Sequence, residues 1–540
     1  MIQRERGKRI MNNEEGIVRL AKPIKRSLLR LVFSRFFVIA LLAVLQILIL
    51  IAAYAYFTDK LPILINLMRL FSFGMVIYLF NCKMDSSAKL TWMFIIAVFP
   101  LAGAAFLFFT QSNIGHRVEC TLVNEQIQRS RDFLEQPPHV LEKLEHDGSG
   151  VDDLCRYLNR SGCFPLFDRT EARYFPIGET MFEAMLEELE KAEKFIFLEF
   201  FIIQEGYMWG RILDILTRKA KEGVEIRVLY DGMCEMFTLP VNYWKLLEKV
   251  GIRARPFSAI KPVVSSHYNY RDHRKILVID GRGPFTGGVN LADEYINRIE
   301  RFGHWKDTGV MLKGPAVRSF TLMFLQLWYV GEKEPDYETW LREPAELPAA
   351  LPEAESETRG YVMPYCDSPL DGEKVGESVY MDILNRATDY VHIMTPYLIL
   401  DGELETALRF AAERGVDVKL ILPGVPDKKV AWALAKTHYR SLTEAGVKIY
   451  EYTPGFVHAK VFVSDDRKAV VGTINLDYRS LYHHFECAAY LYQTDCIADI
   501  EADFLRTLER CRAVTPESIR GERLFYRLVG QTVKFLSPLM

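Results

Sequence analysis

Two stretches of the chain carry the same reactive side chains at the same spacing. "HRKILVID" (273–280) and "HAKVFVSD" (458–465) both read His, one residue, Lys, four residues, Asp, and they lie 185 positions apart. Side chains alternate between the faces of a β-strand, so His273 shares a face with Lys275, and His458 with Lys460. If the two strands meet about a pseudo-twofold axis, two imidazoles and two ammoniums converge on one place. Those groups suit phosphoryl transfer. A neutral imidazole attacks phosphorus, and a second, protonated one gives its proton to the departing alkoxide. The lysines, with Asn290 and Asn475, hold the non-bridging oxygens as charge builds there. This leaves no role that a divalent metal or other cofactor must fill. Asp280 and Asp465 complete the catalytic motif, yet point to the opposite face and are expected to accept from turn backbone or a neighbouring side chain.

Each histidine needs a partner on its other ring nitrogen. Asp307 in "GHWKDTGVML" and Glu486 in "HHFECAAYLY" stand at comparable places downstream of the two motifs. His267, His304, His483 and His484 lie close enough in sequence to be candidate substrate contacts. His116, His139, His146, His392 and His438 read as surface or satisfied core residues. No HExxH helix, CxxC pair, GxSxG elbow or phosphate-binding GxxxxGK[ST] loop competes with this reading.

The elements that must position these groups are also doubled. "KFIFLEFFII" (194–203) matches "YVHIMTPYLI" (390–399), and "KEGVEIRVLYDGM" (221–233) matches "ERGVDVKLILPGV" (413–425). "VGIRARPF" (250–257) matches "AGVKIYEY" (445–452), and each half then reaches its His-Lys-Asp strand and a Gly turn followed by Asn, "FTGGVN" or "VVGTIN". Alternating short strands and helices, with helices stopping at Gly, make each half an α/β layer structure. The order and type of the elements point to internal duplication.

At 540 residues, 49% hydrophobic and 25% charged, the chain is globular and long enough for two or more domains. A net charge of −3 gives no case for nucleic acid. Nine scattered cysteines read as free thiols, with Cys155 and Cys163 the one pair near enough in sequence to consider. The N-terminus differs in kind. Residues 1–35 form a basic tail, and "FFVIALLAVLQILILIAAYAYF" (36–57) has no charge over 22 residues, enough to cross a bilayer. Residues 66–80, containing Arg69, and 90–109, containing Pro100, are two further candidate spans. The expected order is therefore basic cytoplasmic tail 1–35, membrane region 36–110 of two or three helices, connector 111–165, first catalytic domain 166–342, linker 343–360, and second catalytic domain 361–540 with a C-terminal helix.

The paired motifs "NYRDHRKILVIDGRGPFTGGVNLADEY" and "HAKVFVSDDRKAVVGTINLDYRS" resemble those of the phospholipase D superfamily. With the N-terminal membrane region and the ending "ERLFYRLVGQTVKFLSPLM", the chain is similar to bacterial cardiolipin synthases of the phospholipase D type over nearly its whole length. The resemblance implies two duplicated phospholipase D-like α/β domains behind transmembrane helices, in a multi-pass protein of the bacterial cell membrane. It implies that phosphatidylglycerol is both donor and acceptor, giving cardiolipin and glycerol through a phosphatidyl-histidine. It also implies that the acids matching Asp307 and Glu486 bind the catalytic histidines, and that His273 attacks while His458 protonates. A phospholipase D-type hydrolase, using water as acceptor, is the alternative. A scaffold with a dead site is opposed by two intact motifs.

Overall fold

The structure, a computed structural model, describes residues 11–13, 17–20, 44–46, 48–49, 52, 61–111, 116–162, 164–257, 270–341 and 359–539. Most of the candidate first span 36–57, most of the basic tail and linker, Cys163 and His267 lie outside these residues; positions 44–46, 48–49 and 52 of the span are helical. The described chain forms two compact units. One comprises the described residues of 25–118 and 531–540, and the other the remainder.

The first unit includes three consecutive helices among the described residues. α1 (Leu61–Asn81) covers the 66–80 segment as one helix of 21 residues. The 90–109 segment, expected as one span, is instead broken into α2 (Ser86–Val98) and α3 (Pro100–Gln111). Pro100 has no N–H for the ladder and drives the residue before it out of helical conformation, and Phe99 accordingly sits at φ −128°, ψ 75°. Among the described residues no helix is long and apolar enough to cross a membrane. These helices nevertheless expose large apolar side chains, among them Leu70, Phe73, Phe80, Leu90, Phe94 and Phe108.

The other unit is built around two large sheets among the described residues, beside short two-stranded pairs. In the first half the strands are β1 (Glu171–Phe175), β2 (Phe195–Phe200), β3 (Glu225–Asp231), β4 (Arg253–Phe257), β5 (Lys275–Ile279), β6 (Gly283–Gly287) and β7 (Gly309–Lys313). In the second they are β8 (Tyr361–Asp367), β9 (Tyr390–Met394), β10 (Asp417–Pro423), β11 (Lys448–Tyr452), β12 (Val461–Ser464), β13 (Lys468–Gly472), β14 (His484–Tyr492) and β15 (Cys511–Ala513). The first sheet runs β1-β7-β6-β5-β2-β3-β4 and the second β8-β14-β13-β12-β9-β10-β11-β15. Apart from β15, each strand of the second sheet takes the place of the strand seven earlier, so the duplication holds in topology as well as in sequence. The central runs β2 "FIFLEF" and β5 "KILVI" are buried at every position, as strands covered on both faces must be.

The helices repeat in the same order. α4 (Gly178–Glu190), α5 (Tyr207–Lys221) and α6 (Val317–Trp328) belong to the first half. α7 (Val375–Arg386), α8 (Gly402–Glu413), α9 (Lys429–Glu444) and α10 (Cys496–Leu508) belong to the second, followed by α11 (Leu524–Lys534). The Gly stops after α5 and α8 are real: Gly223 and Gly415 have φ of +96° and +102°, which a side chain disfavours. The helix after each sheet crosses to the other half. α6 packs on β8 as well as on β2, β5 and β6, and α10 packs on β1 as well as on β9 and β11 to β13. One continuous apolar core results, with Phe197, Val310, Phe320 and Phe324 meeting Tyr365, Val379, Ile393 and Tyr490.

The strands that carry the motifs end on their aspartates. Asp280 and Asp465 both take left-handed backbone, φ +52° and +53°. Asp280 accepts from the amides of Glu193, Lys194 and Phe195 at 2.7–2.8 Å, fixing the entry to β2. Asp465 does the same for Thr388, Asp389 and Tyr390 ahead of β9, at 2.8–3.0 Å. Asp280→Ala should therefore cost roughly 2–3 kcal/mol, the scale of a buried carboxylate hydrogen-bonded to backbone. A thermal melt of the purified protein should fall by several degrees, and an unchanged melt would show that the carboxylate does not anchor the strand.

Candidate active site

Two short parallel strand pairs bring the motifs together across the halves. Arg271–Asp272, just before His273, pairs with His484–Phe485 of the second half, Asp272 opposite Phe485. Gly455–Val457, just before His458, pairs with His304–Lys306 of the first half, Val457 opposite Lys306. One register step further, His273 faces Glu486 and His458 faces Asp307. The amide of His273 donates to Phe485 O at 2.9 Å, and that of His458 to Lys306 O at 2.7 Å. His273 Nδ1 is 2.9 Å from both Glu486 carboxylate oxygens, and His458 Nδ1 is 2.7 Å from Asp307 Oδ2. Each imidazole is thus held by the acid of the opposite half.

The two acids are supported differently. Gly288 follows β6, and a Cβ there would lie 1.9 Å from Asp307 Oδ1 and 2.9 Å from His458 O, so only Gly lets this carboxylate approach. At the equivalent place after β13 stands Thr473, whose hydroxyl donates to Glu486 Oε2. Thr308 N gives Asp307 Oδ1 a 2.9 Å hydrogen bond.

All the motif groups are buried. Lys275 donates to His273 O at 2.7 Å, and Lys460 lies against the His458 ring and donates to His458 O. Burial, then the neighbouring lysines, hold His273 well below the ordinary histidine range and His458 down to about 4, so both rings are neutral at pH 7. Burial also lowers Lys275 to about 8 and Lys460 to about 7. Burial pushes Asp307 up, but His458 and Lys460 outweigh it and leave the carboxyl below its usual value. Glu486 goes the other way, raised by burial that Lys275 only partly offsets. With Nδ1–H given to the acid, the lone pair on each ring's Nε2 remains, and at His458 it lies 3.1 Å from Lys460 Nζ.

Aromatic rings close the walls. Tyr295, Trp305 and Phe456 surround His458 with ring centroids 5.3, 5.4 and 5.9 Å away. Phe201 meets His273 edge-on at 4.9 Å, and His484 lies 5.3 Å from it. Asn290 is committed to the fold: Oδ1 accepts from Ile202 N and Nδ2 donates to the Tyr295 hydroxyl. Asn475 is buried, and its Oδ1 has no hydrogen-bond partner among the described residues. His304 is tied to the Tyr452 hydroxyl at 3.1 Å, while His392 and His438 pair with Glu501 and Glu405.

Sequence reasoning missed the buried charges behind His273. Arg274 pairs with Glu199 at 2.6 Å and approaches Asp272 at 3.4 Å, all three fully buried. The available signal was Glu199 itself, a carboxylate inside the apolar run "FIFLEF". Tyr295, Trp305 and Thr473 carried no such signal. Among the described residues, His273, His484 and Glu486 place ligand atoms within 4.8 Å of one another, as do Glu377, Asp401 and Glu403. Around the first set stand Lys275, Lys460, Arg271 and Arg479, which oppose a dication and favour an anion such as a phosphodiester.

The acids orient the rings and stabilise an imidazolium when one forms. Asp307→Asn keeps a hydrogen-bonding oxygen but loses that charge and frees the wrong tautomer. By the behaviour of a buried aspartate behind a catalytic histidine, kcat should fall by about 10³–10⁴-fold with KM little changed. Steady-state kinetics on a phosphodiester substrate would read the split, and an equal rise in KM would show that Asp307 serves binding instead.

Residues 380–508 match the family model described as "Cardiolipin synthase, PLD-like domain". Over 467 residues the chain is 56% identical to an uncharacterised protein of Streptococcus mutans, covering 86% of this chain and all of that one. It is 35% identical to cardiolipin synthase 2 of Bacillus anthracis, covering 87% and 90% of the two chains, and 33% identical to the cardiolipin synthase of Halalkalibacterium halodurans, covering 86% and 91%. Among solved structures, the phosphatidylserine synthase of Haemophilus influenzae shares the fold, with a TM-score of 0.52 at 14% identity over 72% of this chain and 99% of that one. The doubled His-Lys-Asp scaffold, its α/β fold and the breadth of these matches lead to one conclusion: the chain belongs to the cardiolipin synthase family of phospholipase D-like phosphatidyltransferases.

Proposed function

We propose that this protein is a cardiolipin synthase that transfers a phosphatidyl group from one phosphatidylglycerol to a second, releasing glycerol. The observation that carries the reading is the pair of neutral, buried imidazoles, each held by the carboxylate of the opposite half and flanked by a lysine. His273 Nε2 attacks phosphorus and the P–O bond to glycerol breaks, giving a phosphatidyl-histidine. The departing alkoxide takes its proton from His458. His458 then accepts the proton of the second phosphatidylglycerol's terminal hydroxyl as that oxygen displaces His273. Both rings are neutral in the empty site, so His458 acquires its proton once an anionic phosphodiester lies between the lysines. Lys275 and Lys460 neutralise the non-bridging oxygens and Asn475 adds a donor amide. Asp280 and Asp465 act through the strands they anchor.

The catalytic halves correspond to 166–342 and 361–540, and the protein works at a membrane as a multi-pass protein. The apolar surfaces of α1 to α3 and the uncharged 36–57 segment support that placement. One bond type replaces another, so no nucleotide is needed and excess glycerol drives the reaction backward.

Purified protein with labelled phosphatidylglycerol, quenched in acid and digested, should yield a phosphatidyl adduct on the His273 peptide. Cardiolipin and glycerol should form in equal amounts, in chelator as without it. His273→Ala should remove the adduct and lower turnover more than about 10³-fold. Release of phosphatidic acid in place of cardiolipin would make the protein a hydrolase.

The lysines set the alkaline limit. Lys275 and Lys460 lose their charge as pH rises through about 8 and about 7, and an uncharged amine holds a phosphodiester weakly. KM for phosphatidylglycerol should rise several-fold between pH 7 and 9, whereas kcat changes less, since bound substrate raises the lysines' affinity for protons. A KM flat over that interval would contradict the assigned role.

A further inference from the structure

The wall of the site behind His458 continues outward to the protein surface. Phe456, whose ring is 5.9 Å from that of His458, also lines a pocket with Tyr397, Pro426, Lys428, Trp432 and Tyr439. The indole Nε1 of Trp432 has no hydrogen-bond partner among the described residues. The Tyr397 hydroxyl donates to Asp427 at 2.7 Å and accepts from Lys428 at 2.9 Å, giving the pocket a polar edge. Trp432 then meets Tyr526 of α11 edge-on at 5.3 Å.

Seen down its axis, α11 has two faces. Tyr526 rests on Trp432, and Gly530 lies so near α9 that a Cβ would come within 2.4 Å of Ala433 O, so this side is turned inward. Residues 524, 525 and 528 fall on the opposite side of a 3.6-residue helix. There Leu524 is 67% and Phe525 69% exposed. Val425 and Val430, beside the pocket, are 39% and 44% exposed. Exposed Lys428, Lys429, Arg520 and Arg523 stand beside these apolar side chains in the sequence, Lys428 3.7 Å from Asp427 and Arg520 2.9 Å from Glu517. Exposed apolar residues interspersed with cations form the pattern that settles into the headgroup layer of an anionic leaflet.

We propose that the 424–432 loop and the outer face of α11 form a docking rim for an anionic phospholipid leaflet, through which one lipid reaches the pocket on the His458 side. The occupant is phosphatidylglycerol in its bilayer. Its acyl chains lie against Leu524, Phe525 and Val430. Its phosphate meets Lys428 and Lys429, and its glycerol faces the Tyr397 hydroxyl and the Trp432 N–H. The choice of this lipid rests on the proposed function. The choice of an anionic leaflet rests on the charges and apolar side chains themselves.

The full chain in vesicles containing phosphatidylglycerol with a photoactivatable group in its acyl chain would test this. Illumination and peptide mapping should place lipid adducts on 521–530 and on 424–432, and fewer when the vesicles carry a zwitterionic lipid analogue instead. Leu524→Ser/Phe525→Ser and, separately, Lys428→Gln/Lys429→Gln should each raise the apparent KM for surface phosphatidylglycerol about tenfold, with kcat at saturation within twofold. Absence of adducts from both peptides, or cross-links from α11 to another part of the chain, would overturn the proposal. The mapping needs no turnover. Adducts without cardiolipin would sink the functional reading and leave the rim standing, while cardiolipin without adducts would do the reverse.

Discussion

The site depends on one interaction made twice, an imidazole held by a carboxylate from the opposite half of the duplication. Neither half contains a complete pair. The register of two short parallel strand pairs sets the arrangement, Asp272 with Phe485 and Val457 with Lys306. A slip of one residue in either would turn the histidine or the acid to the wrong face. The crossing helices α6 and α10 protect that register by packing on both sheets. Asp503 of α10 reinforces it, accepting from Tyr174 at 2.8 Å and from the buried Lys306, next to Asp307, at 2.7 Å.

The symmetry is broken where chemistry requires two roles. On one side a shorter acid approaches over Gly288, and three aromatic rings enclose His458. On the other a longer acid takes a hydroxyl from Thr473, and His273 looks onto Phe201 and His484. Burial raises both carboxyls, but Asp307 ends below its usual value and Glu486 above it, because neighbouring charges outweigh desolvation at the first and only partly offset it at the second. Environments that push like groups apart are how a single scaffold supplies a nucleophile and an acid at one pH. The buried Arg274–Glu199–Asp272 network lies on the His273 side.

Burying two lysines costs part of their charge, and this ties catalysis to substrate. An ammonium held near its titration point is stabilised when a phosphodiester enters and restores the missing negative charge. In the proposed reaction, a lipid phosphate meeting neutral rings and weakly held lysine protons would complete the electrostatics of the site. A buried amine with no anion to meet would be a pure loss of stability.

The sequence by itself determined the elements and the chemistry. Periodicity and glycine stops located β2, β3, β4 and their repeats β9, β10, β11, since local propensity and burial pattern act over a few residues. The spacing of His273, Lys275, His458 and Lys460 named the reaction class, because those residue types have few other uses together. The strand-ending aspartates were legible too, as the motif leaves them facing away. Tertiary structure alone decided which acid serves which histidine, because strand register between distant segments has no trace in either segment. It also decided that Asn290 is spent on Ile202 and Tyr295, and that aromatic rings from three separate stretches enclose His458. In the 90–109 segment it decided against one continuous helix, for Pro100 leaves a break or a kink equally open until the neighbouring helices pack. These features follow from contacts between residues far apart in the chain, and only the folded arrangement of both halves supplies them.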